Sequence, residues 1–219
     1  MIRYSIDGVD LSSLGIIVQK AKGLFDMPKM KDPLKTSWPT RHGVLVDLSQ
    51  PVYDVREITL ECAIKAYTRI SFLTNLNSII YTHLYKPNLR QLRVDLVEDK
   101  PLLYFCYMQD GLDVELATKW NEANHIGLFT LKLIEPEPLK RVYMFEAQEQ
   151  TQLSLQFDTT SQFAVFWGDG SFNIIAPGIT YANHQYSTQG TYYVALVGMV
   201  NAITNFDSYP NLSLVWNLQ

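Results

Sequence analysis

The chain has 219 residues, 47% of them hydrophobic and 18% charged, which is enough apolar material for one large core or two modest ones and excludes whole-chain disorder. Eighteen basic against 22 acidic side chains leave a net charge of −4, the opposite of the basic surplus expected of a general nucleic-acid binder. No apolar run approaches the roughly 18–20 residues of a spanning helix, the opening MIRYSIDGVDLSS carries acids where a signal peptide needs an apolar stretch, and two cysteines, Cys62 and Cys106, are too few for a disulfide framework or a Cys-based metal site. A chain made in the cytosol, without membrane insertion and with its cysteines in the core, is the expectation.

The first long segment is Lys20 to Gly43, which has three prolines (Pro28, Pro33, Pro39), six basic residues, two acids and no convincing period. Connections this long are uncommon unless functional or disordered. Two readings stand: a surface loop, or an arm that orders against a neighbouring subunit by burying Leu24, Phe25, Met27, Leu34 and Trp38. Period-two patterning follows. In Arg56 to Ile64, the side chains of Ile58, Leu60, Cys62 and Ile64 alternate with Glu57, Thr59 and Glu61, the signature of a half-buried strand. Ile70, Leu73, Leu76, Ile80 and Leu84 recur instead at helical spacing, with Thr68 as N-cap and Pro87 as the stop. Strands resume at Leu92–Leu96 and Leu102–Met108; Asp110-Gly111 predicts a hairpin into Leu112, Val114 and Leu116, and Ile126–Ile134 is a further strand.

Charge usage changes near residue 140. Residues 1–140 hold 17 bases and 17 acids, whereas 141–219 hold one base, five acids and 14 of the 27 aromatics. Glu135-Pro136-Glu137-Pro138 reads as a short stiff connector, because each proline removes a donor and extends the residue before it. Two domains, 1–138 and 141–219, follow. In the second, Leu153, Leu155 and Phe157, then Phe163, Val165 and Trp167, then Tyr192, Val194 and Leu196, and finally Leu212, Leu214 and Trp216 alternate as short strands with Gly/Asn turns. They predict a small β-sandwich, so the fold class is mainly β with one packed helix.

Little in the chain carries chemistry. His42, His83, His125 and His184 are far apart and form no metal-ligand spacing, and nucleophile-elbow, P-loop and dinucleotide motifs are missing. Glu98-Asp99, followed by Lys100-Pro101, reads as a solvated turn. The expectation is a protein that is not an enzyme, with no cofactor and no metal. Trp167-Gly168-Asp169-Gly170 is the sharpest local motif. Asp169 would sit in a tight turn accepting backbone donors, the favoured reading, or with Trp167, Phe172, Tyr181 and Tyr186 would offer a glycan or partner contact.

Two stretches resemble known families. Gly8, Ser12, Leu14, Gly15, the arm phrase Met27-Pro28-Lys29-Met30-Lys31, Trp38-Pro39, Gly43-Val44, Asp47-Leu48-Ser49 and Arg56-Glu57-Ile58-Thr59-Leu60 have the layout of the N-terminal domain of phage distal tail proteins, over residues 1 to about 138. That resemblance implies a tail-tube-like β-sandwich with one helix, assembled as a hexameric ring joining the tail tube of a phage or prophage virion to its host-adsorption apparatus. The arm residues Leu24, Phe25, Met27, Pro28, Lys29, Lys31, Leu34 and Trp38 would form the subunit interface, and the partners would be further copies of the chain and other tail proteins. A near-neutral ring domain suits a channel that DNA must traverse without sticking. Phe166-Trp167-Gly168-Asp169-Gly170, His184-Gln185-Tyr186 and Gly190-Thr191-Tyr192-Tyr193-Val194 are similar to PKD-type immunoglobulin-like modules, with the usual residues between Trp and Gly missing, which implies an immunoglobulin-like β-sandwich. That implies a spacer or adhesion unit, and a carbohydrate-binding adhesion protein is the alternative function.

Overall fold

A computed structural model describes residues 2–97, 100–116 and 124–218. The expected Glu98-Asp99 turn lies outside them. The chain is mainly β and falls into two compact units, Met1–Pro136 and Glu137–Gln219.

The first unit opens with the hairpin β1 (Arg3–Ile6) and β2 (Val9–Asp10), a 3-10 turn over Leu11–Leu14 and β3 (Ile16–Lys22). Two short strands follow, β4 (Lys35–Thr36) and β5 (Leu45–Val46), then the eleven-residue β6 (Arg56–Ala66). Helix α1 (Arg69–Asn77) runs on into a wider π-type segment, Ser78–Leu84. The unit closes with β7 (Arg90–Asp95), β8 (Leu102–Met108), β9 (Val114–Leu116) and β10 (His125–Glu135). The strand order is β2-β1-β7-β8-β10-β6-β3, with β9 also on β10. The alternation read in β6 is real: Ile58, Leu60, Cys62 and Ile64 are buried with the intervening residues more exposed. They share one core with Ile6, Leu92, Val94, Tyr104, Cys106, Phe129 and Leu131 from the other strands. Both cysteines are free thiols inside it, and burial pushes the Cys62 thiol up to about 12.

Two expectations are corrected here. No hairpin forms at Asp110-Gly111: β8 and β9 do not pair with each other but both pair with β10, at Leu133/Ile134 and at Gly127–Phe129 respectively. Gly111 does not take up the left-handed conformation that a two-residue hairpin turn needs, and the eleven residues of β10 offer an edge long enough for two short partners. The helix is capped by Thr68, whose hydroxyl accepts from the Ser71 N–H at 3.0 Å while the Ser71 hydroxyl accepts from the Thr68 N–H at 3.2 Å. Its buried face, however, is Phe72, Ile79 and Leu84, with Leu76 and Ile80 half-buried; Ile70 and Leu73 point to solvent. Gly127 supplies the reason. A Cβ there would come within 2.9 Å of the Phe72 ring, so the missing side chain on β10 leaves the hollow that Phe72 fills.

The second unit contains β11 (Lys140–Ala147), β12 (Thr151–Thr159), β13 (Phe163–Phe166), β14 (Phe172–Ile175), β15 (Gly178–Tyr186), β16 (Gly190–Gly198), β17 (Ile203–Tyr209) and β18 (Ser213–Leu218). A five-stranded sheet, β14-β13-β16-β11-β18, and a three-stranded sheet, β15-β12-β17, enclose the core. Leu153, Leu155, Phe157, Phe163, Val165, Val194 and Leu196 are buried in it. Leu214 is exposed, against expectation, because the β11–β18 register shifts between Val142 and Tyr143 and breaks the alternation of the last strand.

Candidate functional site

The segment between β3 and β6 is an antiparallel arm rather than a loop, and it extends further than Lys20–Gly43. Lys20 to Lys22 belong to β3, while the return leg continues through Val55. The two legs are joined in patches: the Asp54 N–H donates to the Lys29 carbonyl (2.7 Å), the Lys31 N–H to Val52 (2.8 Å) and the Asp47 N–H to Leu34 (3.0 Å), next to the β4–β5 ladder. Pro33 and Pro51 fall between these rungs; with no N–H to donate, they interrupt the ladder beside a hollow of about 280 Å³. Almost every side chain from Phe25 to Val55 is exposed, among them Phe25 (72%), Met27 (76%), Leu34 (73%), Trp38, Val44, Leu45, Leu48 and Val52. Lys29 and Lys31 are exposed and Pro28 is half-buried. Leu24 is the exception among the expected interface residues. It is buried in the core of the unit and anchors the arm instead of presenting it.

The base of the arm is closed by buried polar groups that the sequence reading did not single out. At Gly23 (φ +83°) a Cβ would overlap the Glu57 carbonyl, so only glycine allows β3 to pass β6 and turn outward. The Arg56 guanidinium, where the arm returns, donates through Nη1 to the carbonyls of Asp26 (2.8 Å) and Leu24 (3.3 Å), and its Nε lies 3.0 Å from the Glu135 carboxylate. The Tyr104 hydroxyl donates to the same Leu24 carbonyl at 2.6 Å, and the Arg56 charge sits 5.6 Å from the Tyr104 ring centre. Burial raises the Tyr104 phenol well above its usual range, with the Arg56 charge opposing, so the hydroxyl stays a donor. Glu135 also accepts from the Phe105 N–H at 3.3 Å. An Arg at one end of a strand and a Glu 79 positions later carry no local signal of pairing; only their register partnership across β6 and β10 brings them together.

In the second unit the tight-turn reading of Asp169 holds. One Asp169 oxygen accepts from the Ser171 N–H (3.0 Å) and hydroxyl (2.6 Å), and the other lies 2.7 Å from His184 Nε2. Gly168 (φ +90°) passes so close to Tyr193 that a Cβ would meet its backbone at 2.8 Å. Trp167 and Tyr186 are fully buried, which overturns them as a glycan surface: Trp167 stacks on His184 at 4.9 Å and donates to Asn173, and the Tyr186 hydroxyl donates to the Trp167 carbonyl. Phe172 and Tyr181 are exposed but belong to different strands, β14 and β15.

Burial pushes the Asp169 carboxyl up, yet hydrogen bonds from Ser171 and His184 outweigh it and hold the group below its ordinary value. A depressed folded value means that ionised Asp169 stabilises the unit above the unfolded value near pH 4 and that this contribution is lost as pH falls through the folded one. Asp169→Asn is therefore expected to lower the melting temperature at pH 7, and the gap from the parent should close below about pH 4. Thermal melts of the full chain across pH 2.5–7.5 check this; a gap independent of pH would contradict it.

A hollow of the first unit, about 600 Å³, is open and lined by Gln19, Glu61, Asp110, Asp113, Glu115 and Lys132 among others. Two of its acids are engaged, Asp110 with Lys132 (3.2 Å) and Glu61 with Lys20 (3.6 Å). Among the described residues, no three His, Cys, Asp or Glu side chains gather where they could hold a metal ion. No helix in those residues is long and apolar enough to cross a membrane.

Fold and site together define a mainly β, two-unit protein with an exposed, apolar arm. No known family model and no curated protein matches this chain. Among solved structures it is similar to SPP1 Dit (gp 19.1), described as a paradigm of the hub adsorption apparatus in phages infecting Gram-positive hosts. The similarity has a TM-score of 0.44 at 10% identity over 90% of this chain and 98% of that one, which is too slight to carry a functional argument.

Proposed function

We propose that this protein is a structural hub of a phage or prophage tail that self-assembles through its arm into a ring, hexameric by the resemblance to distal tail proteins, between the tail tube and the host-adsorption apparatus. The observation that carries the reading is the arm itself, a proline-punctuated ribbon with Phe25, Met27, Leu34, Trp38 and Leu45 all exposed. An isolated protomer gains nothing from holding so much apolar surface in water, whereas a second copy would bury it. Among the described residues, β3 and β9 lie at sheet edges whose backbone groups neighbouring copies could pair. The second unit, with the partner-facing residues Phe172 and Tyr181, would serve docking to other tail proteins or the host surface.

Native mass decides the matter. Light scattering over a concentration series, with particles imaged alongside, is expected to give ring-shaped particles of about six protomers, each of 25.1 kDa. A strict monomer at every concentration would overturn self-assembly of the isolated chain.

A further inference from the structure

The outward face of the one long helix among the described residues is as unusual as the arm. A helix lying on a sheet normally turns charged residues to water. Here the solvent side of α1 and its π-type continuation presents Ile70, Leu73, Asn77, Tyr81 and Tyr85, with Ile70 79% and Tyr81 69% exposed and Tyr67 exposed just before the cap. From Tyr67 to Leu89 the only charges are Arg69 and Lys86, one near each end, and there is no acid.

The return leg of the arm has the complementary composition. Residues 43–55 expose Val44, Leu45, Leu48 and Val52, and their only charges are Asp47 and Asp54, with no base. Asp47 and Asp54 bracket Leu48 and Val52 on one element, and Arg69 and Lys86 bracket the apolar face from Ile70 to Tyr85 on the other.

The layout of β6 separates the two elements within a protomer. The arm returns at Arg56, and α1 begins just beyond Ala66 at the opposite end of the same strand, roughly 33 Å away at 3.3 Å per residue. The arm side chains are exposed, so the arm of this chain does not cover its own helix. From its base to the Trp38–Arg41 turn the arm reaches roughly 45 Å at the same rise, long enough to span that distance on a neighbour. We infer that the return leg of one protomer, residues 43–55, lies on the α1 face of the next, with Asp47 and Asp54 meeting the Arg69 and Lys86 ends. Such a contact joins different patches on the two copies. It is therefore heterologous, and it closes a ring when the rotation per copy permits. The inference rests on the proposed reading of the arm as the self-assembly element, and it adds the surface that receives it.

The test uses the full chain with a photo-activated benzophenone amino acid replacing Leu73 or, separately, Tyr81, irradiated at concentrations where light scattering detects the oligomer. Digestion and mass spectrometry are expected to find adducts between copies on the peptide containing residues 43–55. Adducts on any other surface, or none between copies, would overturn the pairing. In parallel, Asp47→Lys with Asp54→Lys should weaken association about tenfold or more, the loss of two ion pairs at an interface, and adding Arg69→Glu with Lys86→Glu should restore it. Failure of the swap to restore association counts against the pairing. Removal of the arm separates the two claims: an oligomer that survives it defeats the arm reading itself, whereas an oligomer that dissolves while Leu73 crosslinks elsewhere defeats only the docking surface.

Discussion

Arg56→Ala is expected to destabilise the first unit by about 3–5 kcal/mol, the usual result of removing one partner from a buried ion pair. The substitution leaves the Glu135 carboxylate, itself fully buried, without the guanidinium 3.0 Å away. It also takes the Nη1 donor from the carbonyls of Leu24 and Asp26. Glu135→Gln alone should also destabilise, because it leaves the buried Arg56 guanidinium beside a neutral amide in place of the carboxylate 3.0 Å away. The double change Arg56→Met with Glu135→Gln should recover part of the loss, because neither side of this pair is then a charge facing a neutral partner. Urea denaturation of the three variants measures this. Equal losses for Arg56→Ala and the double variant would show that lost packing, and not the broken ion pair, dominates. Hydrogen exchange on the double variant reads the positioning role separately: the amides of Lys31, Asp47 and Asp54, which form the rungs of the arm, should exchange faster while those of β6 do not.

Replacing residues 25–55 with a linker of about four residues is expected to abolish self-association while both units stay folded. The reason is topological. β3 and β6 are antiparallel neighbours, with Lys22 opposite Thr59, so their ends lie about one strand spacing apart, roughly 5 Å, and a hairpin-length link can join them. Leu24 and Arg56 are retained, so the core keeps its plug and the ion pair stays whole. The excised side chains are nearly all exposed and contribute little to the monomer. Light scattering and circular dichroism on the deletion variant form the check. A folded protein that still assembles would show that the ring contacts lie elsewhere, and loss of the folded signal would show that the arm belongs to the core.

How far each feature could be read depends on whether its cause is local. Thr68 caps the helix because the cap and its partner Ser71 are three residues apart, and a hydroxyl needs no tertiary help to reach the first turn. The burial of Cys62 follows from alternation along β6, and the tight turn at Asp169 follows from two glycines around a carboxylate. The apolar character of Phe25, Met27, Leu34 and Trp38 in a proline-rich stretch likewise singles the segment out, but leaves a loop and an arm both open. Its end is not legible, because the return leg, Val44 to Val55, carries no turn signal distinguishing it from the strand that follows.

The features that escaped are set by contacts distant in sequence. Residues 70–84 are apolar around most of the helix, so spacing permits two buried faces; Gly127, more than 40 residues later, selects Phe72 over Ile70 by leaving a hollow on β10. Trp167 has the composition of a sugar-stacking residue, but its stacking on His184 and the Tyr186 hydroxyl on its carbonyl hold it in the core. The Arg56–Glu135 pair exists only because β6 and β10 align along their whole length. Sequence alone thus determined the mainly β class, the change of character near residue 140 and an irregular, proline-punctuated segment rich in apolar residues before β6, all of which depend on composition and short-range pattern. Which faces are buried, where the arm is anchored and which surface is left bare for a neighbour were decided by the tertiary structure, because burial is a property of the partner strand as much as of the residue.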